Sequence, residues 1–451
     1  MSSLLPVHAA GHIENGLIEY LTTSFSLADD ITAGRLAEFL TDPDSGMFHG
    51  PYVRTRLPYA PSEGWEGVLD WMPHGFVPHR HQAQAFERLA SSRNGVSRRP
   101  EPTLVITGTG SGKTESFLYP VLDHCRRSPE RGIKALLLYP MNALANDQAG
   151  RLAELITKHP ELKGVTAGIY TGEQAGQSAT RVTKDSLITD RYHMRTNPPD
   201  ILLTNYKMLD QMLIRDADHG IWEASATTLQ YLVLDEFHTY DGAQGTDVAL
   251  LLRRLGLMLR SCQPEGFLDG LPGASERPLG KVTPVATSAT LGSEGDASSM
   301  LQFAHTIFGE QLDETAVVGE TKQTISQWQS SVADMVGTPR TRVVSMPSAK
   351  EVEEINAEIA DLDRSGGNHD THVHDVFCRR VYGCDPDDLD AVIAAYAAHP
   401  LTEAILDHAK KALPLGKRSP GDEESLVELI LDQETRRLPD DGAAEFLAHT
   451  L

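Results

Sequence analysis

The sequence predicts an α/β protein: a mostly parallel sheet flanked by helices, preceded by an accessory segment and followed by an acidic α-helical region. Three observations carry this. From Thr103 onward, short apolar runs alternate with longer stretches of helical periodicity, the pattern of repeated βαβ units. Two of those runs, ALLLY at Ala135–Tyr139 and YLVL at Tyr231–Leu234, are unbroken by polar residues, as strands covered on both faces must be. The run Thr103–Ile106 also opens into a glycine-rich turn with a helical pattern directly behind it.

Taken in order, residues 1–78 hold a helical stretch at Ala33–Leu40 and then a Pro/Gly-punctuated run from Asp42 to Pro78. That run carries Trp65, Trp71 and Phe76, read as a packing layer. Residues 79–310 form the α/β domain. Its strands are expected at Thr103–Ile106, Ala135–Tyr139, Val165–Tyr170, Ile201–Thr204, Tyr231–Leu234 and Val282–Thr287. Helices are expected at Lys113–Arg127, with Phe117, Val121, Leu122 and Cys125 on one face, and at Asp247–Arg260, with Leu250, Leu251, Arg254, Leu255 and Met258 in helical spacing. A Gly/Pro-rich loop, Pro264–Gly280, precedes the last strand. Residues 311–451 read as acidic helices (Ser348–Asp363, Asp385–Ala398, Leu401–Ala412, Glu423–Arg437) with a hinge at the Ser-Gly-Gly-Asn break after Ser365. No second βαβ pattern is legible before Leu451.

The chain has 451 residues, 40% of them apolar and 23% charged, which describes an ordinary globular protein. No apolar run is long enough for a membrane span, and the four cysteines lack zinc-ribbon spacing, so a cytoplasmic protein with no membrane partner is expected. His369, His372, His374, Cys378 and Cys384 fit no closed tetrahedral site. The net charge of −23 opposes long-range attraction to nucleic acid, but charge is unevenly placed. Between Glu351 and Pro400 twelve acids face three bases, so much of the excess is concentrated late in the chain.

The turn reads Thr107-Gly108-Thr109-Gly110-Ser111-Gly112-Lys113-Thr114. Glycines let backbone amides approach phosphate oxygens, and the helix start adds a favourable dipole. Lys113 is placed to neutralise the β and γ phosphates of ATP, and the Thr114 hydroxyl to bind Mg²⁺. Asp235-Glu236 follows the YLVL strand, at the sheet edge where ligands bind in open α/β folds. An aspartate there holds Mg²⁺ while the neighbouring glutamate polarises the attacking water. Phe237 is read as core packing.

These motifs resemble those of the superfamily 2 DEAD/DEAH-box helicases, over His79 to about Gly309. The resemblance implies a RecA-like P-loop NTPase fold. Gln82, in PHRHQAQAF, is similar to the family's glutamine element, which contacts adenine. Pro140 and Asn142, in YPMNALANDQ, and Thr204-Asn205, in ILLTNYKML, resemble elements that grip the nucleic-acid backbone. Ser288 and Thr290, in TSAT, resemble the element that links hydrolysis to domain movement, and His238 is implied to join it to the nucleotide pocket. The wording YPMNALANDQ and DEFHTYDGAQGTDVALLLRRL is closest to the Lhr-like and YprA-like branch, whose members mostly act on DNA.

The resemblance therefore implies the first motor domain of an ATP-dependent helicase or translocase, with nucleic acid, DNA in this branch, as partner. A second motor domain would supply arginines contributing about 10³–10⁵ in rate in related NTPases; a separate chain is one source for it. The alternative is an ATP-gated nucleic-acid-binding or assembly module with little turnover of its own.

Overall fold

Each apolar run becomes a strand because it is covered on both sides. The computed structural model describes residues 6–25, 30–42, 45–48, 52–172, 178–289, 297–337, 347–415, 425–434 and 446. They divide into two units, Tyr59–Thr321 and a second made of Met1–Pro58 with Lys322–Leu451.

In the first unit the strands are β1 (Thr103–Ile106), β2 (Ala135–Tyr139), β3 (Ala167–Tyr170), β4 (Ile201–Asn205), β5 (Tyr231–Leu234), β6 (Thr283–Ser288) and β7 (Val317–Gly319). They form one seven-stranded sheet in the order β7-β1-β6-β5-β2-β4-β3, parallel at every pairing. The first six match the apolar runs within two residues at either end. The seventh, three residues long, lies past residue 310, where the composition reads as acidic helix; so short a run carries no periodicity of its own.

The unit also begins earlier than residue 79. Ala60 N–H donates to Thr321 O at 2.8 Å and Arg80 N–H donates to Ala60 O at 2.8 Å, tying the entering chain to the end of the unit. Trp71 and Phe76 set their rings edge-on to Tyr119 at 6.1 and 5.0 Å. Trp71 and Phe76 are thus part of the unit's packing.

Connections between parallel strands must cross a face, and here they cover both. The helices are α1 (Arg80–Leu89), α2 (Lys113–Arg127), α3 (Asn142–Lys158), α4 (Arg191–Thr196), α5 (Tyr206–Ile214), α6 (His219–Ser225), α7 (Gly242–Cys262) and α8 (Ala297–Phe308). One face packs Ala135, Leu137, Tyr231 and Val233 against Phe117 and Val121 of α2 and Leu152 and Ile156 of α3. The other packs Leu136, Leu138, Leu232 and Leu234 against Met212, Trp222, Leu252, Leu255 and Phe308. On α7 the buried stripe is Leu251, Leu252, Leu255 and Leu259. Leu250, expected on that stripe, turns outward and is 57% exposed.

At the amino edge of the sheet Lys134 is buried, 1% exposed, with its ammonium on Asp200 and on Glu130 O. Asp200 also accepts from the N–H and hydroxyl of Thr166, at 2.7 and 2.8 Å. Removing one partner of a buried ion pair strands the other charge. Asp200→Ala should therefore destabilise the protein by about 3–5 kcal/mol, read by denaturant unfolding.

The second unit is helical in its described residues, with one two-residue strand pair, Tyr52–Val53 against Leu413–Pro414. Its acidic helices are amphipathic: Val352, Ile355 and Ile359 of Ala349–Ser365 share a core with Val373, Phe377, Leu401 and Ile405. Among the described residues no single helix is long and apolar enough to cross a membrane.

Candidate nucleotide site at the carboxyl edge of the sheet

Parallel strands end together, so the residues after them come side by side. Ile106 pairs with Ser288 on one side and Gly319 on the other, Leu234 lies opposite Ala286, and Tyr139 opposite Asn205. The glycine-rich turn, the acid pair, Ser288, Pro140 and Asn205 therefore share one edge, where ligands bind in sheets of this kind.

The turn is held from several sides. Thr107 N–H donates to Ser288 O at 3.1 Å, and the Thr107 and Ser111 hydroxyls lie 2.5 Å apart. His81 is fully buried and its Nε2 donates to Ser111 O at 2.8 Å. Burial lowers its pKa, which favours the neutral ring, and its Nδ1 has no hydrogen-bond partner in the protein. Gln82 Nε2 donates to Gly112 O at 3.0 Å while its Oε1 accepts from His79 N–H at 2.9 Å. The glutamine thus splints α1 to the turn. Gly110 and Gly112 both have φ of +78°, the left-handed region that glycine enters without steric cost. A Cβ on Gly112 would stand 2.2 Å from Gln82 Nε2, so this approach of amide to backbone requires glycine.

Gly108, Thr109 and Gly110 form the outer part of the turn, the last two exposed. Lys113 opens α2 and its Nζ donates to Thr107 O at 3.2 Å, curling over the turn it would share with a phosphate chain. Thr114, next on the helix, is half-buried.

Asp235 follows β5 and accepts a hydrogen bond from the Thr287 hydroxyl of β6. Burial raises its pKa; Thr287 and the nearby charge of Lys113 pull the other way. Glu236 adopts φ +50° and ψ +50°, left-handed for a non-glycine residue. Such a backbone costs roughly 1–3 kcal/mol and is concentrated at functional sites. It is maintained because Phe237 is driven into the core, 1% exposed, stacked on Phe308 at 5.5 Å and beside Phe303 at 4.8 Å. The turn Phe237–Thr239 follows, with Thr239 N–H donating to Glu236 O at 2.8 Å.

His238 emerges from that turn with Nδ1 3.1 Å from Ser288 Oγ and 3.6 Å from Glu236 Oε2. The predicted link between the acid pair and the TSAT element is thus in hydrogen-bond reach as far as Ser288. Thr290 lies outside the described residues.

Farther along the edge, Asn205 Nδ2 donates to Asn142 Oδ1 at 2.7 Å, and Asn205 Oδ1 caps α5 by accepting from Met208 N–H at 2.8 Å. Pro140, half-buried, links β2 to this pair. Thr204 points the opposite way, as a neighbour on a strand must. It is fully buried, and its hydroxyl donates to Tyr170 O at 2.5 Å, holding β4 to β3.

Two residues at this edge carry no motif in the sequence: Tyr59, whose ring lies 5.3 Å from that of His81, and Glu320, which accepts from Gly108 N–H at 2.9 Å. The oxygen donors Thr114 and Asp235 suit a hard divalent cation, which takes one or two protein oxygens and completes its shell with phosphates and water. The glycine cradle and Lys113 suit an anionic phosphate chain.

Residues 79–296 match the family model described as DEAD/DEAH box helicase. Among curated proteins the chain is similar to the Druantia protein DruE of Escherichia coli (strain UMEA 4076-1), 28% identical over 404 residues covering 64% of this chain and 21% of that protein. It is similar to the uncharacterized ATP-dependent helicase YprA of Bacillus subtilis (strain 168), 30% identical over 183 residues, 40% of this chain and 21% of YprA. The Lhr helicase/uracil glycosylase of Escherichia coli (strain K12) is 30% identical over 219 residues, 42% of this chain and 13% of that protein. The chain thus spans 21% or less of the length of these relatives. Residues 79–296 thus form a DEAD/DEAH box helicase domain.

Proposed function

We propose that the unit built on residues 79–310 binds and hydrolyses ATP with Mg²⁺ as the first motor domain of a nucleic-acid helicase or translocase, acting on DNA. The observation that supports this best is the convergence of Lys113, Thr114, Asp235, Glu236 and the His238–Ser288 pair at one carboxyl edge. In this reading Gly108 to Gly112 cradle the phosphate chain through backbone amides, and Lys113 leaves Thr107 O to neutralise it. Thr114 and Asp235 hold Mg²⁺, which supplies charge neutralisation at the transferred phosphate. Glu236 orients the attacking water and accepts its proton, giving ADP and phosphate.

Phosphoryl transfer depends mostly on positioning and charge, so one domain carrying half of those groups turns over slowly. The other half, including arginines at the transferred phosphate, comes in this reading from a second motor domain. Asn142 and Asn205 face the nucleic-acid backbone, where phosphate contacts position a strand and do not read its sequence. Thr204 supports them from beneath by holding β4 in place.

The resemblance of YPMNALANDQ and DEFHTYDGAQGTDVALLLRRL to the Lhr-like and YprA-like branch favours DNA. The test is phosphate release from ATP by the purified chain, with and without single- and double-stranded DNA or RNA. Slow release that DNA raises several-fold is expected; release that no nucleic acid alters would contradict the motor reading and favour ATP-gated binding.

His238 supplies a finer check. His238→Ala removes the side-chain bridge from the acid turn to Ser288 while leaving the glycine-rich turn intact. ATP affinity should change by no more than about tenfold, since one hydrogen bond contributes about 0.5–1.5 kcal/mol. Stimulation by DNA should be lost. Stimulation equal to the wild type would show that coupling runs elsewhere.

A further inference from the structure

We propose that Glu320 is a resident anion of the glycine-rich turn, whose carboxylate the phosphate chain of an entering nucleotide must repel or displace. This rests on the nucleotide reading above and adds to it a residue that sets affinity according to the charge of the phosphate chain.

The placement follows from topology. Edge strand β7 runs parallel to β1 with Gly319 opposite Ile106, so the residues following the two strands are neighbours. Glu320 Oε2 accepts from Gly108 N–H at 2.9 Å. A Cβ on Gly108 would lie 3.1 Å from that same oxygen, so the carboxylate sits in close contact with the backbone of the turn. Backbone N–H groups of such turns are the donors that bind phosphate oxygens. Here one of them already holds a carboxylate.

The alternative role, shaping the turn, is filled by other contacts. Thr107 N–H on Ser288 O, the Thr107–Ser111 hydroxyl pair, His81 on Ser111 O and Gln82 on Gly112 O already fix it. Glu320, by contrast, is an exposed side chain one residue before the end of the unit at Thr321. A carboxylate in that position raises the free energy of bringing several negative charges into the turn, in proportion to their number. Because it is exposed, the effect is screened by salt.

The experiment is equilibrium titration of the full chain with fluorescent ATP, ADP and adenosine, for wild type, Glu320→Gln and Glu320→Asp, at about 50 mM and about 500 mM salt. At low salt Glu320→Gln should bind ATP roughly three- to tenfold more tightly, ADP less so, and adenosine with no gain. The gain should shrink at high salt, and Glu320→Asp, which keeps the charge, should show none. Wild-type binding that Glu320→Gln leaves unchanged or weakens would overturn the proposal and leave the nucleotide reading standing. No saturable ATP binding by any of the three would overturn both.

Discussion

Glu236→Gln is expected to lower ATP turnover by roughly 10²–10⁴-fold, the contribution of a positioned general base, while ATP affinity stays within about twofold. Gln keeps the shape of the side chain but cannot accept the water's proton. The left-handed backbone at Glu236 is held by burial of Phe237 and by Thr239, neither of which senses the substitution, so the local fold should persist. Lys113→Ala should behave differently. It removes the charge that faces the phosphate chain, and so should abolish detectable ATP binding as well as turnover. The pair separates two functions: if Glu236→Gln retains biological function and Lys113→Ala loses it, ATP binding alone is the switch. Equal loss of ATP affinity in both variants would count against the assignment of roles.

Phe237→Ala should cost about 3–5 kcal/mol of stability, the range for deleting a buried aromatic side chain. The ring is 1% exposed and wedged between Phe303 and Phe308, so the cavity left behind cannot collapse without moving α8. Because the residue directly precedes His238 and follows Glu236, the same change should release the strained backbone at the acid pair. Phe237→Leu, which refills most of the volume, should recover most of the stability. Thermal or denaturant unfolding of the two variants decides it, and a cost below about 1 kcal/mol for Phe237→Ala would mean that the stack is not what anchors the turn.

Much of this site was legible because it is local. Strands buried on both faces must be continuous apolar runs, and ALLLY and YLVL are; a nucleotide turn needs glycines at the positions where φ is positive, and Gly110 and Gly112 stand there. What was not legible is set by contacts between distant segments. Glu320 reaches Gly108 across 212 residues because the last strand of the sheet happens to lie beside the first, and a three-residue strand announces nothing. Tyr59 enters by the same route, through a chain segment bonded to Thr321. Thr204 and Asn205 were read as one element, yet strand alternation sends the first into the interior and leaves the second at the edge. In the acidic region the apolar stripe Val352, Ile355, Ile359 is present in the letters, but the surrounding carboxylates make the segment read simply as an acidic helix.

In the proposed function the glycine-rich turn and the Asp235-Glu236 pair form one nucleotide site, joined by a shared cation and by Lys113. The measurement that tests it most directly is titration of the chain with ATP in the presence of Mg²⁺ and again with the cation chelated. The expected result is saturable binding that weakens at least tenfold on chelation, and that weakens comparably in Asp235→Asn with Mg²⁺ present. Binding that ignores both Mg²⁺ and Asp235 would contradict the claim, since the two halves would then not meet on one ligand.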